Sequence, residues 1–202
     1  IAQALGDLLG ARAMAAFLQM DGLVRRVVAT VDNLGREHTP ARLWPVNPTP
    51  ERFAVVGSGP VQTIGLDNAA RYGALVRWIE SVDTERAVAL YARLYPLFQQ
   101  AYEELGYPGR YFNDRLVAVI DHLLQAPEPA SPVAVKLTEV KGDVPSTRPW
   151  VRYEFADPQL QSLSSGQKIM VRVGLENERR LKVRLKALRA LVATGAVAKA
   201  KP

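Results

Sequence analysis

The sequence contains no cysteine. Disulfides, thiolate metal sites and cysteine nucleophiles are therefore excluded from this chain. Histidine is almost as scarce: His38 and His122 are the only two, too few for a three-histidine zinc site. No metal is expected on these grounds, and no cofactor is expected because no cofactor motif is recognisable. Long apolar runs are missing too. The longest stretch without a charge, residues 53–66, is interrupted by Gly57, Gly59, Pro60 and Gly65. It falls well short of the ~20 apolar residues that a membrane-spanning helix needs. No signal-peptide pattern opens the chain. The first residue is Ile1 rather than methionine, and a further segment is expected upstream of it.

The composition is that of an ordinary globular protein, with 48% apolar and 23% charged residues in 202. That length buries a sizeable core as one domain spanning 1–202. Within it, residues 1–12 could form a separate leading helix and 194–202 a frayed tail. The net charge of +6 is uneven. Residues 168–202 hold 10 Lys/Arg against 2 Asp/Glu, whereas the rest is slightly acidic. Basicity is a property of the C-terminal segment and not of the whole surface.

Apolar residues recur at three- and four-residue steps along most of the chain, which predicts helices. Phe17, Met20, Val24, Val27, Val31 and Leu34 predict one helix over 14–34, stopped by Gly35. Asp67 is a candidate cap for a helix to Ile79. Asp83 caps the clearest helix, which ends near Gly106 and carries Val88, Tyr91, Tyr95, Phe98, Tyr102 and Leu105 on one face. Pro96 lies inside it and predicts a kink or a break. Asn113 is a candidate cap for a helix to Leu124, with Leu116, Ile120, Leu123 and Leu124 inward. Two proline-rich stretches, 36–60 and 126–149, interrupt the helices. Phe53–Val56 and Val61–Ile64 read as a hairpin, and short strands are expected near Val133–Leu137 and Trp150–Phe155. Pro158 opens a short helix, and Ser164 caps a last helical region broken near Gly174. The fold class is therefore mainly α with a small β element (α+β): a helical core with proline-rich excursions carrying short strands.

Several motifs have attractive readings. Leu163-Ser164-Ser165-Gly166-Gln167 resembles the signature of ABC-type ATPases, but the phosphate-binding loop that this signature must face is absent from the sequence. As Ser-x-x-Gln it reads instead as a capping box. Gly57-Ser58-Gly59-Pro60 lacks the third glycine and following helix of a dinucleotide fingerprint, and reads as a turn. The densest stretch runs from Tyr107 to Arg115. With His122 it yields a candidate ligand rim of Tyr107, Arg110, Tyr111, Asn113, Asp114, Arg115 and His122, because loops carry binding groups on rigid scaffolds. The competing reading is a packed helix corner in which tyrosine stacks and arginine meets backbone carbonyls. The C-terminal helix carries a candidate basic surface of Arg172, Arg179, Arg180, Lys182, Arg184, Lys186 and Arg189, opposite an apolar stripe of Leu181, Leu185, Leu188 and Val192. No aromatic residue interleaves these cations, which argues against stacking on single-stranded nucleic acid.

One block resembles a known family. The segments are Tyr95-Pro96-Leu97-Phe98-Gln99-Gln100-Ala101-Tyr102-Glu103-Glu104-Leu105-Gly106-Tyr107-Pro108 and Tyr111 to Leu124, joined by Val28–Leu34, Tyr153–Pro158 and Leu163–Lys168. They resemble the bacterial domain-of-unknown-function family number 3014 along nearly the whole chain. The resemblance implies an upstream membrane-spanning segment, a proline-rich linker and a domain facing the periplasm. It brings no catalytic residues with it. Three functional readings follow. The first is a non-enzymatic, envelope-anchored binding or scaffold module, whose partner is unknown and could be another envelope protein. The second is an enzyme of unassigned class working from the 107–122 corner. The third is binding of nucleic acid or an anionic surface through the basic helix, for which charge on one helix face is a weak signal.

Overall fold

The structure is a computed structural model that describes residues 2–130, 132–138 and 151–194. The tail expected to fray lies, apart from Thr194, outside the described residues, as does Trp150.

The chain opens with α1 (Ala2–Leu9), α2 (Ala11–Phe17) and α3 (Leu23–Leu34). The single helix expected over 14–34 is thus two. Gly22 adopts a left-handed φ of 61° at the start of α3, a conformation that costs glycine nothing. Between the helices, Leu18 bridges Val46 and the Gln19 amide donates to the Pro45 carbonyl at 2.8 Å. Asn47 then serves the end of α2, its amide donating to the Phe17 carbonyl and its Nδ2 to that of Ala16, each at 2.8 Å. The second helix also divides, into α4 (Asp67–Ala70) and α5 (Gly73–Ser81). Asp67 lies inside α4 and is not its cap.

The long elements follow the sequence more closely. α6 (Thr84–Glu104) is capped by Asp83, whose carboxylate accepts from the Arg86 amide at 2.9 Å. It runs unbroken past Pro96, which is exposed, so the backbone bond that proline forfeits lies on the solvent side. α7 (Phe112–Leu124) starts one residue earlier than expected, and Asn113 sits in its first turn, where its side chain is spent on other helices. Asn113 Nδ2 donates to the Val192 carbonyl at 3.2 Å, and its Oδ1 accepts from the Tyr91 hydroxyl at 3.3 Å.

A four-stranded antiparallel sheet joins both proline-rich excursions: β1 (Val55–Val56), β2 (Val61–Ile64), β3 (Ala134–Leu137) and β4 (Tyr153–Phe155), in that spatial order. Val135 and Phe155 pair across β3 and β4 and pack on Val171. That residue belongs to α9 (Ser165–Arg172), which follows the short α8 (Pro158–Gln161). Gly174, at φ 89°, turns the chain from α9 into α10 (Leu175–Ala193).

The aromatic face of α6 builds one part of the core. Phe112 is 1% exposed and meets the rings of Tyr91, Phe98 and Tyr102 within 6.5 Å. Of the four α6 aromatics expected inside, Tyr102 is fully buried, while Tyr91, Tyr95 and Phe98 are half-buried. Tyr91 also packs with Leu116 and Ile120 of α7, which places the two helices together as expected.

Candidate functional site

α3 presents a carboxylate where its neighbours are apolar. Asp32 shares the buried face of the helix with Val28 and Ala29, and its side chain is 4% exposed. A buried charge is tolerated only when paired and hydrogen-bonded. Asp32 is supplied from three directions. Arg115 of α7 donates from Nε to Oδ1 at 3.0 Å and from Nη2 to the Asp32 backbone carbonyl at 2.6 Å. Arg36, one turn further along the chain, reaches Oδ2 at 2.6 Å. The Tyr107 hydroxyl donates to the same oxygen at 3.2 Å, and Arg36 donates to that hydroxyl at 2.5 Å. The Tyr107 ring stacks on Tyr102 at 4.6 Å. Asp32 is the main cause holding the Arg36 guanidinium above its ordinary range.

A second polar layer adjoins the first. The Ser165 amide donates to the Arg36 carbonyl at 2.7 Å, and its hydroxyl lies 2.5 Å from that of Thr39. Ser164 caps α9 by accepting from the Gln167 amide at 3.2 Å, as the Ser-x-x-Gln pattern suggests. Gln167 does not close the box; its Nε2 donates to the His122 carbonyl at 3.1 Å. His122 Nε2 lies 2.8 Å from Ser164 Oγ. Between these bonds Gly166 fits against α3 and α7 so closely that a Cβ there would stand 2.5 Å from Leu123 and 2.8 Å from the Leu34 carbonyl oxygen.

The candidate rim is therefore divided. Tyr107 and Arg115 converge on Asp32, His122 meets Ser164 two turns further along α7, and Asn113 faces Tyr91 and Val192. Arg110, Tyr111 and Asp114 are exposed. The corner itself is latched by a residue that carried no signal in the sequence. Gln99 accepts from the Phe112 amide at 3.0 Å and donates to the Arg110 carbonyl at 2.8 Å. Of the seven candidate rim residues, Tyr107, Arg115, His122 and Asn113 thus serve three separate internal junctions. The His122–Ser164 pair has the spacing of a base and a nucleophile, but an orienting acid is not supplied by its neighbour in sequence. Asp121 is committed to Arg189.

The candidate basic surface lies at the end of α9 and along α10. α10 is not a helix laid on the outside. It packs against α5, α6 and α7, and its cations hold those helices. Arg180 grips Glu80 with two bonds, at 2.8 and 2.5 Å. Arg189 grips Asp121, with one contact at 2.9 Å. Arg179 and Lys182 share Glu128, at 2.8 and 3.0 Å. Arg184 meets the Val82 carbonyl and the Thr84 hydroxyl at the end of α5. Arg172 is half-buried over the Phe155 ring. Arg179 and Lys186 are the exposed members of the set. Three carboxylates drawn from earlier in the chain, Glu80, Asp121 and Glu128, pair with Arg180, Arg189, Arg179 and Lys182.

Hollows open on the surface among the described residues. One, of about 190 Å³, lies between the sheet and the α9–α10 turn and is lined by Ile64, Leu66, Val133, Val171 and Glu178. Burial pushes the Glu178 carboxyl up, against the opposing pull of Lys182 at 2.9 Å. Another, of about 450 Å³, runs between α3 and α6 with Arg25, Arg26 and Arg42 at its edges and Val28 and Ala101 in its floor. No group of three or more His, Asp or Glu side chains suited to a metal ion occurs among the described residues. Nor is any helix among them long and apolar enough to cross a membrane.

These features define a mainly helical α+β domain whose polar centre joins α3, α7 and α9. The model of the protein family of unknown function DUF3014 matches residues 23–189, and the chain belongs to that family. No curated protein and no solved structure matches it.

Proposed function

We propose that this domain is a non-catalytic binding or scaffold module, anchored at the cell envelope and facing the periplasm. The observation that carries the non-catalytic part is the commitment of Tyr107, Arg115, Asp121 and His122 of the 107–122 corner to internal contacts. Asp32, Arg115 and Tyr107 bind one another, His122 engages the cap of α9, and Asp121 holds Arg189. A general acid or base must reach a substrate proton, and these groups are turned toward each other. The envelope location rests on the resemblance, whose members carry a membrane-spanning segment before this domain. A partner in the envelope accords with that location.

Two experiments test the reading. A periplasm-active reporter fused to the full-length protein gives signal under this proposal, and signal from a cytoplasm-active reporter alone contradicts the location. For the non-catalytic part, Asp114→Asn and His122→Gln are combined in a native host whose deletion strain has a measurable phenotype. The double variant substitutes for the wild type; a folded double variant that behaves like the deletion contradicts it.

A further inference from the structure

Among the described residues, one lysine is buried without a carboxylate in ion-pair contact. Lys168 of α9 is 7% exposed. Among the described residues it forms neither a hydrogen bond nor an ion pair. Arg172, one turn along the same helix, faces the same region. Its Nη2 donates to the Tyr153 carbonyl at 2.9 Å, and its guanidinium lies 5.0 Å over the Phe155 ring. These two contacts fix the guanidinium plane and leave its other donors available. Glu37 and Glu154 act on Lys168 from a distance without pairing with it.

This arrangement is unfavourable as it stands. Like charges one turn apart on a helix repel, and burial of an unpaired ammonium costs free energy unless something compensates. Elsewhere on α9 and α10 the protein does compensate. Lys182, also half-buried, has both Glu178 and Glu128 beside it. Burial and the neighbouring Arg172 together pull the Lys168 ammonium below the ordinary lysine range. Arg172 is pulled down by burial too, with Tyr72 and Glu154 acting the other way without pairing with it. A fixed guanidinium beside an ammonium is the donor set that recognises carboxylate and phosphate oxygens.

We propose that Lys168 and Arg172 form a binding site for one oxyanionic group, a carboxylate or a phosphate, held between α9 and β4. The anion supplies the missing countercharge, accepting from the Lys168 ammonium and from the free guanidinium edge of Arg172. This site is separate from the Asp32 junction and does not depend on the envelope location.

The test uses the intact chain, with thermal unfolding followed at constant ionic strength. Chloride is exchanged for inorganic phosphate in one series and for acetate in the other. Wild type shows a saturable rise in midpoint with at least one of them, about 5–10 °C at a hundredfold excess over Kd for a domain of this size. The anion that acts tells whether the site takes phosphate or carboxylate. Lys168→Met unfolds no lower than wild type without anion, because an uncompensated charge has been removed, and its midpoint no longer responds. In wild type, the side-chain nitrogen resonance of Lys168 moves along the same saturation curve. The proposal is overturned by a wild type with no saturable response to either anion. A response that survives Lys168→Met undiminished overturns it too.

Discussion

Arg115 holds Asp32 at both ends, donating from Nε to the carboxylate at 3.0 Å and from Nη2 to the backbone carbonyl at 2.6 Å. One side chain on α7 thus fixes a buried charge and the direction of the α3 backbone together. Asp32→Ala strips Arg115, Arg36 and Tyr107 of their common acceptor. It is expected to cost about 3 kcal/mol or more, the range for breaking a buried pair. Arg115→Lys does not rescue, because an ammonium cannot span the two oxygens as the guanidinium fork does. Urea midpoints of the three proteins check both statements.

Glycine replacement separates close packing from helix propensity. Gly166 and Gly6 both lie in helices. Alanine at Gly6 meets nothing within 4 Å and is expected to stabilise by about 0.5–1 kcal/mol. Alanine at Gly166 meets the Leu34 carbonyl at 2.8 Å, which is backbone and cannot step aside. It is expected to destabilise by about 1–3 kcal/mol, as overpacking does. Equal shifts of the same sign in thermal unfolding would show that α9 is not seated against α3.

The aromatic core and the ionic surface should differ in weight. Phe112→Ala removes a ring that three others touch and is expected to cost about 3–5 kcal/mol. Arg189→Ala breaks a pair whose side chains are 41% and 39% exposed, and is expected to cost no more than about 1 kcal/mol. Chemical denaturation of both variants makes the comparison.

Acid should act on the α10 contacts in two directions. Hydrogen bonds from Arg189, Arg180 and Arg179 hold Asp121, Glu80 and Glu128 below ordinary values of 3.8, 4.5 and 4.5. Carboxylates lowered in this way stabilise the fold above their unfolded values, and that contribution is lost as pH falls through the folded ones. Glu178 is raised by burial, so its contribution is present below 4.5 and lost as pH rises through its folded value. Glu178→Gln is therefore expected to match or exceed wild type in stability at pH 7 and to lose that advantage near pH 4. Urea midpoints at the two pH values show whether the difference closes.

How much of this the sequence shows depends on the scale of the interaction. The α6 cap at Asp83, the Ser164 cap and the hairpin are local patterns, and they are legible because their partners lie within a few residues. The breaks at Gly22 and Arg71 were not legible. They depend on distant partners: Pro45 and Val46 beside Leu18 and Gln19, and the Pro50 and Glu51 carbonyls that receive the Arg71 guanidinium. The basic helix misled for a related reason. Its positive residues look solvent-directed until Glu80 and Asp121 arrive from other helices and Glu128 from the segment after α7. Asp32 did leave a trace, a lone acid at the four-residue step after Val28 on an otherwise apolar face. The residues of the 107–122 corner stood out correctly as dense in polar groups; which of them meet is decided by tertiary packing.

The most direct test of the central claim is the coupling between Asp32 and Arg115, measured by a double-mutant cycle with alanine at each position and urea unfolding as the readout. The account predicts a coupling of about 1–3 kcal/mol, with the double variant little worse than Asp32→Ala alone. A coupling near zero would contradict it, above all if either single variant kept its stability yet behaved like the deletion in the host. These residues would then be serving a ligand and not the fold.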